Sequence, residues 1–390
     1  MTEKTTVTRH RHDLDWLRVL VILVVFIFHA GRFFDMGDWH VKNPTRYLGV
    51  QIWTTFLVNW MMPLIFVISG ASTFYALSTR NTGKFIKDRV LRLVVPLIVG
   101  MFSHIAVQVY LERVTHGQFS GSFLEWLPEY FNGFYVLGGN FAWMGLHLWY
   151  LEVLFLFSLI LLPLFRCFLS DAGKRLLNTI GNGLAAPGVI YILALPIMLL
   201  LAVLDPRSLL GNRGFGGWSS LIYLLFCVYG FIIIAHDGVQ QRIQQGRRVS
   251  FTIGAAMVAI LILVWAPQGD APFGTPRFAL IALLFGLSSW CWILAILGFC
   301  MKHLTLSTPW LPAANEAVLP FYVMHQSVLI AVGYFIVQTP LPDPIKFVVI
   351  AASSFAIIIG LYQIVRQFNV LRFLFGMKPL RRVEAGRDLP

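Results

Sequence analysis

The sequence predicts an all-α integral membrane protein, a polytopic bundle of about ten transmembrane helices with the N- and C-termini cytoplasmic. Three observations predict it. The 390-residue chain is 57% hydrophobic and only 12% charged, roughly half the charged fraction of a soluble domain. Its mean hydropathy is +0.73. Ten apolar stretches recur along it, each long enough to cross a hydrocarbon core that takes roughly 20 residues of helix.

The stretches lie near 15–34, 50–77, 92–111, 146–166, 186–204, 218–235, 251–267, 277–300, 316–337 and 345–365. The first holds an unbroken apolar run from Val19 to Phe28, with Arg18 at its start and His29 far down its length. The second contains Met61-Met62-Pro63 and runs on to Ser69-Gly70, small residues that let helices approach closely. The third follows a basic loop, Lys84 to Arg92, and carries Pro96. The fourth opens on His147-Leu148-Trp149-Tyr150-Leu151-Glu152, where the aromatics fit an interfacial belt. Pro63 and Pro196 fall inside the second and fifth stretches, where kinks are tolerated. The ninth carries Tyr322 and His325 at mid-span. Between the third and fourth lies the longest outer loop, near 112–145, rich in Trp, Tyr and Phe, suited to an interfacial segment or a lid.

Charge supports the alternation. With the N-terminus inside, 22 of the 30 basic residues fall on inner segments and 8 on outer ones, the bias expected of cytoplasmic loops. The net charge of +12 is therefore read as topology, with lipid as neighbour and no nucleic-acid partner. The organisation reads as a cytoplasmic tail over 1–14, a transmembrane domain over 15–366 and a basic cytoplasmic tail over 367–390. No small-x-small cleavage site follows the first stretch, so the chain is expected to keep its N-terminus. The four cysteines show neither metal spacing nor a disulfide framework; no metal is expected.

Ionisable groups inside apolar runs are the functional candidates. Arg18 and His29 are eleven residues apart, about 16 Å of rise and about 20° of net rotation, so they share a stripe. Asp15 lies near the same stripe. A neutral imidazole can take a proton from a hydroxyl; the bland alternative is a hydrogen-bonded core histidine. Arg89 and Arg92, three apart, would share a helix face and form a fork for phosphate or carboxylate, with Lys87 nearby; the bland alternative is topology charge. His147 and Glu152, five apart, point away from each other, and Glu152 needs a partner or water. His325 has Tyr322 one turn before it.

Together these pieces resemble the acyltransferase-3 family of bacterial membrane proteins. Asp15, Arg18 and His29 match its first motif, Pro63 to Gly70 its second, Arg89 and Arg92 its third, and Tyr322 with His325 a late one. His147 to Leu151 and the tail Leu371 to Pro379 resemble the glucan-succinylating branch. The resemblance implies O-acyl transfer from cytoplasmic acyl-CoA, as co-substrate, to a hydroxyl of a periplasmic or surface glycan. It implies location in the bacterial inner membrane. His29 would act as base, Arg89, Arg92 and Lys87 would hold the donor phosphates, and Asp15, Arg18, His147, Glu152, Tyr322 and His325 would support the site. The acyl group is left open between acetyl and succinyl. A succinyl carboxylate would want a cation among Arg32, Lys42, Arg46, Arg207 and Arg213. The rival classes are a transporter or flippase of a small anionic or glycan substrate, and a structural or sensory membrane protein. The oligomeric state is not legible.

Overall fold

A computed structural model describes residues 11–269 and 271–380. Among these residues no strand forms; one isolated parallel bridge pairs Phe134 with Phe141. In chain order the helices are α1 (His12–Gly31), α2 (Leu48–Thr79), α3 (Thr82–Arg89), α4 (Val95–Met101), α5 (Ile105–Thr115), α6 (Phe123–Trp126), α7 (Trp149–Ile160), α8 (Leu162–Leu169), α9 (Asp171–Leu184), α10 (Ala194–Val203), α11 (Ser220–Ala235), α12 (Asp237–Ile260), α13 (Pro276–His303), α14 (Leu311–Ile336), α15 (Asp343–Val365) and α16 (Asn369–Leu374). A π turn, Val90–Val94, joins α3 to α4.

Six helices are long and apolar enough to cross a membrane, and up to nine candidates result if each bent pair is one span. This is a polytopic membrane protein. Each of the ten expected stretches falls on helix, but four are not single long helices. The third bends by 40° between Thr82–Met101 and α5, and the fourth by 51° between Leu146–Ile160 and α8; the fifth is the short run Val189–Val203, which follows α9, outside the stretch, at a bend of 112°. The sixth is the 16-residue α11. Two of the bends have local causes. Pro163, near the start of α8, has no N–H to continue the ladder of α7. Pro187 and Gly188, the latter at φ +80°, separate α9 from the turn before α10. Pro63 leaves α2 unbroken, and Pro196 sits in the first turn of α10, where its missing N–H costs little.

The chain forms two compact units. The first takes the chain up to Phe28, Leu48–Thr82 and Phe157–Asn315. Its helices approach through glycine. A Cβ on Gly70 would lie 1.8 Å from the carbonyl oxygen of Cys227, and one on Gly230 would lie 1.9 Å from that of Val67. Thus α2 and α11 touch backbone to backbone, as the small residues of the second stretch suggested. Ser69 bonds within its own helix, donating to Ile65 O at 2.8 Å. Around this contact Phe66 stacks on Tyr223 and Phe165 on Phe231, with ring centroids 4.5 and 4.1 Å apart. The buried indoles of Trp218 and Trp290 donate to Val58 O and Ile190 O, the partners a buried N–H requires.

The second unit takes His29–Tyr47, Gly83–Leu156 and the chain from Glu316 on. The loop after α1 is pinned by a buried carboxylate. Asp35, fully buried, accepts from Arg32 Nη1 at 2.5 Å and from Lys42 Nζ at 2.7 Å. Lys42 also donates to the carbonyls of Arg32 and Asp35. Burial holds its ammonium below the ordinary lysine range in spite of that carboxylate. Lys346 on α15 anchors the far end of the loop through Asn43 Oδ1 at 3.2 Å. At the chain's other end Arg372, 5% exposed, donates to Glu316 Oε1 (2.6 Å), Lys378 O (2.6 Å) and Arg366 O (3.2 Å). This brings Gly376, at φ +67°, against α4 and the π turn: a Cβ there would meet Pro96 Cγ at 2.9 Å and Arg92 O at 3.0 Å.

Candidate active site

The site is built on one carbonyl-rich turn of α14. His325 is 1% exposed, and its Nδ1 lies 2.5 Å from the carbonyl oxygen of Tyr322, one turn earlier. A carbonyl only accepts, so Nδ1 carries the hydrogen. In the neutral ring Nε2 is then an acceptor, and it lies 3.2 Å from Nδ1 of His29. That contact requires the hydrogen on His29 Nδ1. The lone pair of His29 is thereby placed on Nε2, as a hydroxyl-deprotonating base requires. His29 sits in the last turn of α1 and is half-buried.

His147 is the third ring of the group, 5.0 Å from His325 and nearly perpendicular to it. Its Nε2 donates to Val323 O at 3.0 Å, and its Nδ1 accepts from Gln108 Nε2 at 3.2 Å. His104 also donates to Val323 O, at 2.9 Å. The Tyr322 hydroxyl donates to the backbone oxygen of His147, tying α14 to the start of α7. A buried polar chain leads on from Gln108. Gln326 Nε2 donates to Gln108 Oε1 at 3.0 Å and reaches His40 Nε2 at 3.3 Å. His40 Nδ1 pairs with Glu112, whose carboxylate also accepts from the Tyr135 hydroxyl at 2.7 and 2.9 Å. Trp39 flanks His29, its ring centroid 6.1 Å away.

The sequence-predicted residues divide as follows. His29, His147, Tyr322 and His325 come together. Glu152 stands in the first turn of α7, and its Oε2 is buried with no hydrogen-bond partner among the described residues; His147 bonds elsewhere, as the five-residue spacing implied. Asp15 and Arg18 belong to the first unit. There Arg18 Nη1 meets Asp15 Oδ1 at 2.9 Å and Nη2 meets Ser72 Oγ at 2.7 Å, while Asn315 donates to Asp15 at 2.9 Å. Lys87 and Arg92 are exposed, and the guanidinium of half-buried Arg89 covers the Phe85 ring at 4.9 Å. Arg92 lies within the π turn, so its angle to Arg89 is wider than a regular α-helix would give. Among the outer cations, Arg32 and Lys42 are committed to Asp35, and Arg213 donates to Leu201 O at 2.9 Å.

Sequence reading missed His40, His104, Gln108, Glu112 and Gln326. The one available signal was Gln108 and Glu112, four apart at the end of an apolar stretch and so on one helix face. No group of three or more His, Cys, Asp or Glu able to hold a metal ion occurs among the described residues.

The family model described as an acyltransferase domain, acyltransferase-3, matches residues 11–363. The chain belongs to this family. Similar proteins include those named glucans biosynthesis protein C from Salmonella heidelberg (strain SL476) and Salmonella agona (strain SL483), each 23% identical over 381 residues and covering 94% of both chains. No solved structure matches the chain significantly. For this family member the imidazole cluster is the candidate centre of acyl transfer. The matched residues include α1, α2, the π turn and α14.

Proposed function

We propose that this chain is a bacterial inner-membrane O-acyltransferase. It moves an acetyl or succinyl group from cytoplasmic acyl-CoA to a hydroxyl of a periplasmic or cell-surface glycan. The reading takes ten spans, counting each bent pair and α11 as one, with both termini cytoplasmic and one membrane domain over 15–366 between short tails. The glycan acceptor is suggested by the name of its relatives, glucans biosynthesis protein C.

The observation that carries the proposal is the hydrogen-bond order from Tyr322 O through His325 to His29. In the step, His29 Nε2 takes the acceptor's hydroxyl proton as the oxygen attacks the thioester carbonyl. The C–O bond forms and the C–S bond breaks. The departing CoA thiolate takes the proton back from the His29 imidazolium, so the base ends as it began. His325 holds His29 in the productive tautomer, and His147 and Tyr322 hold the turn of α14. Arg89, Arg92 and Lys87 grip the donor phosphates as charge-assisted partners. Asp15 and Arg18 fix the first half of α1 against Ser72 and Asn315.

The test is His29→Ala in membranes where the protein inserts normally. Loss of a general base lowers acyl transfer by about 10²–10⁴-fold. Undiminished transfer would remove the base from the mechanism. Mass spectrometry of glycans from cells with and without the protein reports the acyl group and its carrier; a transporter would leave acyl-CoA unconsumed by the purified protein.

A further inference from the structure

The second unit carries a cleft of about 620 Å³ near the end of α5, outside the imidazole group. That size falls within the usual range of small-ligand sites, roughly 300–1,000 Å³. Phe119 supplies an apolar wall, and Gln118, Ser120, Glu129 and Asn140 supply polar edges.

Arg113 stands in this cleft, but its charge is already committed. Nε donates to Asn140 Oδ1 (2.9 Å), Nη1 to Gln118 Oε1 (2.8 Å) and Glu112 Oε1 (3.4 Å), and Nη2 to Gly139 O (2.8 Å). Its flat face lies over the Tyr135 ring at 5.5 Å. The guanidinium therefore shapes the cleft and has little left for an anion. Glu125 and Glu129 also line it, and both are exposed. Ser122 donates to Glu125 from its backbone and its hydroxyl, which holds that carboxyl below its usual range and so ionised. Like charge disfavours an anionic occupant. A flat apolar wall beside mixed donors and acceptors instead suits a ligand with many hydroxyls and apolar C–H faces.

We propose that this cleft binds an uncharged polyhydroxylated chain, a run of neutral sugar residues of the acceptor away from the hydroxyl that reacts. The proposal rests on the acyltransferase reading for what the chain is attached to. Binding there would use remote contacts to hold the acceptor near the base. The link is short: Arg113 adjoins Glu112, which begins the polar chain through His40 and Gln326 to Gln108 and His147.

The experiment measures binding of a neutral gluco-hexaose and of a hexuronide of equal length to the detergent-purified full chain, by calorimetry and without donor. The neutral hexaose should bind more tightly. Phe119→Ala should weaken it about tenfold or more, and Ser120→Trp, which fills the cleft from an exposed position, should do the same at unchanged melting temperature. Glu129→Gln should narrow the gap between the two ligands. His29→Ala should bind the hexaose normally. Tighter hexuronide binding, or hexaose affinity untouched by both cleft variants, overturns the proposal. Hexaose binding in a protein that transfers no acyl group would sink the acyltransferase reading alone. His29-dependent transfer without hexaose binding would sink the cleft alone.

Discussion

His325 matters for where it leaves a hydrogen. Replacing it with alanine removes the acceptor opposite His29 Nδ1, so the His29 ring loses the partner that selects its tautomer. Acyl transfer should fall by about 10²–10⁴-fold, the range for a misoriented or missing base. His325→Gln, whose side-chain oxygen can accept, should recover part of the rate. The rate should also change its dependence on pH in His325→Ala, since the partner of the titrating ring is gone. Equal rates across pH for the wild type, Ala and Gln variants would reduce His325 to a packing residue. His29 and His325 were legible because each interrupts an apolar run and falls in a motif; His104 interrupts the third stretch but falls in none, and was missed. His40 and Glu112 were not legible, because they are 72 residues apart and meet only after folding; neither belongs to a motif whose spacing announces a partner.

Among the elements, α2 and α11 are held by an absence of side chain. A Cβ on Gly70 would meet a backbone oxygen at 1.8 Å, and a backbone cannot step aside as a side chain can. Gly70→Leu should destabilise by about 1–3 kcal/mol or more, read as a lower melting temperature in detergent. Gly49, on the same helix with nothing within 4 Å, is the control: Gly49→Ala should be neutral or stabilising by up to about 1 kcal/mol. The tail gives a second prediction. Arg372 ties Lys378 and Glu316 together beside the turn that carries Arg92. Arg372→Ala should raise KM for acyl-CoA several-fold with kcat little changed, and Arg372→Lys should restore only part of it, since a lysine cannot repeat three forked bonds. A fall in kcat with KM unmoved would count against a donor-positioning role. The second motif could be read in the sequence as close packing because small residues have few other uses in an apolar run. The π turn could not, because Val90 to Val94 has ordinary helical composition.

At the scale of the whole molecule the prediction concerns topology. The helices were legible from length and hydropathy, whereas the bends were only half legible: Pro163 and Pro187-Gly188 mark two of them in the sequence, and nothing so plain marks Phe102–His104. The topology proposed from charge bias puts the end of the fourth stretch on the cytoplasmic side. Cys167 lies there and is the one exposed cysteine of four, Cys227, Cys291 and Cys300 being buried. A membrane-impermeant maleimide should therefore label Cys167 in inverted vesicles and leave right-side-out vesicles unlabelled, with Cys167→Ser abolishing the signal. Labelling from the periplasmic side would reverse the assignment of every loop.

The π turn at Val90–Val94 has a consequence for how such chains diverge. A turn of this kind amounts to one surplus residue in an otherwise regular helix. Deleting a single residue there would restore the ordinary pitch and leave Lys87 and Arg89 near their present angle about the axis relative to Pro96, because the wide turn already absorbs the surplus residue. A one-codon deletion just after Arg92 thus narrows the angle between Arg89 and Arg92 to that of a regular helix without altering either residue.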